Sequence, residues 1–108
     1  FEEIKVRFEK DYLTSVNNVF KLIKVKPYGI EIDVDAIENI ASSAMTSCGF
    51  SAVEARQFLN LTAGSANACY LHICEGSVSL GSTSENMLGK LLTYLVTDFI
   101  KAQLPFTK

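Results

Sequence analysis

Tryptophan is absent from this 108-residue chain, histidine occurs once and proline twice. A lone imidazole, His72, leaves little material for acid–base or metal chemistry near neutral pH. Positive charge is also thin over most of the length: between residues 27 and 89 only Arg56 carries a fixed one. With a formal net charge of −2, that scarcity argues against general binding of polyanions. Three cysteines make an odd set, too sparse for a disulfide scaffold. Cys48, Cys69 and Cys74 all stand in apolar surroundings and are expected as buried free thiols of the cytoplasm or another reducing compartment. No apolar run approaches the ~20 residues a bilayer requires; near the C-terminus the longest is Leu91–Val96. The first ten residues carry charges throughout and contain no signal-peptide core.

What is present suffices for a core. Apolar residues make up 48% of the chain and charged residues 20%, so enough apolar surface is available to offset the entropy of ordering. A chain of this length is expected to form a single domain, residues 1–108. Three capping signatures organise it: Asp35 with Glu38, Ser51 with Glu54, and Ser82 with Glu85. In each, the first side chain can accept from a helix-terminal amide while the glutamate reaches back. Strict alternation over 3–9 and again over 29–34 predicts two half-buried strands. Helices are expected near 11–24, 36–48, 52–62 and 84–103, with Gly49 ending the second in the left-handed conformation. The apolar run at 68–74, then Val78 and Leu80 between glycines, predicts a buried strand, a turn and a short second strand over 68–80; a helix over 66–74 is the alternative. The expected fold is α+β, a small sheet covered by the C-terminal helix, with a mostly-α arrangement as alternative.

Chemistry-bearing clusters are few. The segment from Gly76 to Thr83 has phosphate-loop glycine spacing, but Ser82 stands where the lysine belongs, so nucleotide hydrolysis lacks its counter-ion. Gly81, Ser82, Thr83 and Ser84 remain candidates for holding a small anion at a helix start. Cys69, His72 and Cys74 do not share one strand face, which excludes a simple three-ligand metal set; His72 and Cys74 do, and are the weak candidates for a nucleophilic pair. Asp33, Asp35 and Glu38 could approach Mg²⁺ or Ca²⁺, but the spacing is not that of a calcium loop and two of the three have capping duties. No metal and no cofactor is therefore expected. A glycosylation triplet, Asn60 to Thr62, falls near a predicted helix end.

The helix–Gly–helix outline at 48–51 resembles a DNA-reading motif only in outline, because its second helix offers one base and one acid. The strongest periodic element is the last. Met87, Leu88, Leu91, Leu92, Leu95, Val96, Phe99 and Ile100 form two columns, a face too broad for one partner. The leading expectation is a small non-enzymatic interaction or assembly module, self-associating or meeting another protein through Leu88, Leu92, Leu95 and Phe99. A ligand- or anion-binding protein or enzyme with its site at 69–84 is the alternative. Nucleic-acid binding through the basic N-terminal third ranks last.

Overall fold

The structure, a computed structural model, describes residues 12–78 and 83–107. The strand expected over 3–9 lies outside them, as do the end of the one expected over 68–80 and the Ser82 cap. Three α-helices and one two-stranded sheet make up the described fold: α1 (Tyr12–Ile23), β1 (Tyr28–Asp33), α2 (Ala52–Thr62), β2 (Ala68–Cys74) and α3 (Thr83–Gln103). The expected four helices become three, and the two strands pair in parallel, Ile30 beside Leu71 and Ile32 beside Ile73. β1 alternates as its sequence requires, with Ile30 and Ile32 buried and Glu31 and Asp33 exposed. In β2 the continuous apolar run is only half-buried: Leu71 and Ile73 pack on the core, while Cys69, Tyr70 and His72 face outward. The Tyr70 ring lies over Gly29, where a Cβ would fall 2.0 Å from it, so a larger residue there would have to displace the ring.

No helix forms over 36–48. A 3-10 turn, Val34–Ala36, follows β1 and is capped by Asp33, whose carboxylate accepts from the Asp35 amide at 2.9 Å. Asn39 then takes a positive φ of 57°, which stops any helix. The reason lies in composition. Asn39, Ser42, Ser43, Thr46 and Ser47 all offer the backbone local alternatives to helical bonds, and the fold supplies partners for the result. The Glu38 amide donates to the Phe50 carbonyl, Asn39 to Thr46, and Ser43 to Glu75. Ile37 and Ile40 are buried as expected, but Met45 is exposed. Gly49 is required by close approach rather than by handedness, since a Cβ there would sit 2.5 Å from the Ala36 carbonyl oxygen.

α2 begins with a complete capping box, Ser51 and Glu54 exchanging bonds of 3.0 Å. One core unites the layers: Ile30, Ile32, Val34, Ile37, Ala55, Leu59, Leu88, Leu91 and Leu95 form a single buried cluster. α3 packs against α2 and is fastened at two heights. Arg56 grips the buried Asp98 with both Nε and Nη2, at 2.8 and 3.0 Å, and its guanidinium stacks 4.6 Å above the Tyr94 ring. Near the end, the Gln103 side-chain amide donates to the carbonyls of Ala63 and Ser65. Among the described residues no helix is long and apolar enough to cross a membrane.

Candidate functional site at the carboxyl ends of the strands

Parallel strands end side by side, so whatever follows each is brought together. β1 delivers Asp33 and then Asp35; β2 delivers Cys74 and Glu75. In sheets connected by crossover helices, ligands bind beyond these carboxyl ends. The irregular segment that replaced the expected helix completes the group, because Ser43 stands between the two arms. Its backbone is anchored by the hydrogen bond that its amide donates to the Glu75 carbonyl, and Ser42 bridges to Gly76 in antiparallel fashion. Glu75 itself holds a positive φ of 70°, an uncommon conformation for a residue with a Cβ.

The side chains converge further. The Ser43 hydroxyl lies 2.5 Å from Glu75 Oε2 and 3.2 and 3.4 Å from the two Asp35 oxygens. Asp35 also accepts from the Ala44 amide at 2.9 Å. The Asp35 carboxyl is held below the usual carboxylate range, first by the Ser42 hydroxyl, then by the Ala44 amide and Ser43, against an opposing effect of burial. Ser42 Oγ is buried and makes no hydrogen bond that meets full geometric criteria. One hydroxyl proton cannot serve two carboxylates. If it goes to Glu75, Ser43 Oγ presents only lone pairs to the ionised Asp35.

The acids also decide the fate of the thiol. Burial pushes the Cys74 thiol up, and Asp33, Glu75, Glu31 and Asp35 push it further. A thiolate nucleophile requires the opposite environment. His72 is exposed and pairs loosely with Glu31, Nδ1 to Oε1 at 3.9 Å. The two share a strand face, but the arrangement is that of an acidic surface, not an activated pair.

The remaining candidates scatter. Gly81 and Ser82 lie outside the described residues, while Thr83 and Ser84 open α3. Cys48 and Cys69 are exposed and Cys74 is half-buried, so the thiols are free but not buried as expected. Leu88 and Leu95 belong to the chain's own core, and Leu92 and Phe99 pack against it. The apolar residues that α3 turns outward are Met87, Tyr94, Val96 and Ile100. Thr62 is buried and its hydroxyl donates to the Phe58 carbonyl, while Asn60 of the same triplet is exposed on α2. Arg56, read from sequence as an exposed base, is committed to Asp98. Ser43 escaped sequence reasoning because nothing local ties it to Glu75; the usable signal was an acid directly after an apolar strand.

No family model matches the sequence, and no curated protein does. Five chains of solved structures match. Among them is arginase from Bacillus subtilis, with a TM-score of 0.63, 14% identity and 82% of this chain covered. The match takes in 35% of the arginase chain, so this chain spans about a third of that protein's length. At this identity the likeness is one of fold: parallel strands joined through a helix, with helices packed beside them.

Proposed function

We propose that the carboxyl end of the sheet binds a positively charged ligand, either a divalent cation or the cationic group of a small molecule. The observation that carries this reading is the Ser43 hydroxyl wedged between two carboxylates, Asp35 and Glu75. A positive charge beside them offsets the repulsion that one proton leaves uncompensated. Asp33 and Glu31 extend the same field. The likeness to arginase, whose name denotes an enzyme acting on arginine, adds a fold-level analogy and a candidate cation, the guanidinium group.

The test is calorimetric titration of the protein with MgCl2, MnCl2 and L-arginine in separate runs. One of them is expected to give saturable heat that weakens at least about tenfold, or ~1.4 kcal/mol, in Asp35→Asn and in Glu75→Gln. Absence of saturable heat for all three, or heat indifferent to both substitutions, would dismiss the site.

A second reading, assembly through α3, is favoured by one specific observation. Val96, Ile100 and Leu104 follow one another at four-residue spacing with about half of each side chain exposed. Such a column gains from cover by a protein surface. Sedimentation of the wild type against Ile100→Lys separates the cases: self-association that the charge abolishes supports assembly, and identical monomers refute it.

A further inference from the structure

Residues 21–27, which carry the chain from α1 to β1, form an unbroken exposed run. Within it Leu22 and Val25 are 73% and 70% exposed, more than any other large apolar side chain described. Lys21, Lys24 and Lys26 interleave with them, and among the described residues none of the three pairs with a carboxylate. The run is fastened rather than loose. The Lys24 amide donates to the Phe20 carbonyl at 2.9 Å, the Lys26 amide to that of Ile23 at 3.2 Å, and the Asn67 side-chain amide to the Lys24 carbonyl at 2.7 Å. We infer that this knuckle docks on an anionic lipid surface, Leu22 and Val25 entering the boundary between headgroups and acyl chains while the three lysines meet acidic headgroups.

Two chemistries on one short turn define that occupant. Leucine and valine held in water gain when transferred to an apolar medium, and lysine is drawn to acidic headgroups, each one strengthening binding about fivefold. Its long stem lets the ammonium stay at headgroup level above an inserted aliphatic neighbour. A nucleic acid would satisfy the lysines alone, since its bases are read by polar groups or stacked on aromatic ones, and the run 21–27 contains no aromatic side chain. The placement of the acids permits the approach. Asp33 ends β1, and Asp35 and Glu75 follow the strand ends, about 20 Å from the lysines across six residues of strand. At that range physiological salt screens their repulsion from the lipid surface, so the formal net charge of −2 does not forbid docking. The inference depends on neither the cation site nor the α3 surface.

The probe is a vesicle of phosphatidylcholine and phosphatidylserine mixed about 2:1, with pure phosphatidylcholine as the control. Co-sedimentation should give half-maximal binding below about 1 mM accessible lipid, and binding at least about tenfold weaker on the control. Lys21→Gln and Lys26→Gln should each weaken binding about fivefold, and Leu22→Ser together with Val25→Ser at least about tenfold. At such exposed positions each single substitution should move Tm by no more than about 3 °C. Because the chain contains no tryptophan, Leu22→Trp reports depth directly. Its emission should shift to the blue on phosphatidylserine vesicles and be quenched by lipids brominated on their acyl chains. No binding by about 1 mM lipid, or binding that the paired serine substitution leaves intact, would overturn the proposal. So would binding with unshifted emission, which would reduce the knuckle to a contact for any polyanion.

Discussion

Two glycines illustrate how differently one residue type is used. At Gly49 an added Cβ meets the Ala36 carbonyl oxygen at 2.5 Å, a backbone atom that cannot swing aside. Gly49→Ala should cost about 1–3 kcal/mol in urea denaturation. At Gly89, inside α3, nothing lies within 4 Å of the same position. Gly89→Ala should therefore stabilise by roughly 0.5–1 kcal/mol through helix propensity alone. Asp98 gives a pH signature. The Arg56 guanidinium holds its carboxyl below the ordinary value of 3.8, burial opposing. The folded value being depressed, the contribution to stability is complete above that ordinary value and disappears as pH falls through the lower folded one. Asp98→Ala should lower Tm by about 5–10 °C at pH 7, and the difference between wild type and variant should shrink as pH falls below the ordinary carboxylate range.

Elements were legible where their signals were local. Ser51 and Glu54 meet within one turn, so the start of α2 could be read from four residues. The same signature at Asp35 and Glu38 misled, because Asp33 took the capping role and Asp35 turned to Ala44, nine residues on. Nothing in a short window distinguishes those outcomes; the competing partners, Glu75 and Phe50, arrive from elsewhere in the chain. The candidate site was half-visible for the same reason. Its acids on β1 stood out as a cluster, but their pairing with Ser43 and Glu75 exists only once β2 lies beside β1. For α3 the periodicity was read correctly and its apportioning was not, since two apolar columns look alike until one is covered. Leu95, fully buried, should cost about 2–5 kcal/mol when truncated to alanine. Ile100→Ser, at a position 54% exposed, should change the stability of the monomer by no more than about 0.5 kcal/mol.

Across the whole molecule, charge is sorted along the strand direction. Among the described residues Lys21, Lys24 and Lys26 lie just ahead of β1, while Asp33 ends that strand and Asp35 and Glu75 follow the strand ends. Six residues of strand separate the two by about 20 Å, more than twice the screening length of physiological salt. Those three lysines therefore do little to neutralise the acidic end. Cation affinity should fall several-fold between 10 and 150 mM KCl, measured by repeating the titration at each concentration.

The Gln103 side chain has a temporal meaning as well as a spatial one. It clasps the carbonyls of Ala63 and Ser65, 40 and 38 positions earlier, in the loop that launches β2. During synthesis that loop has no such clasp until α3 has been made. The loop ahead of β2 is thus closed by the last turn of α3, like a buckle sewn on after the belt.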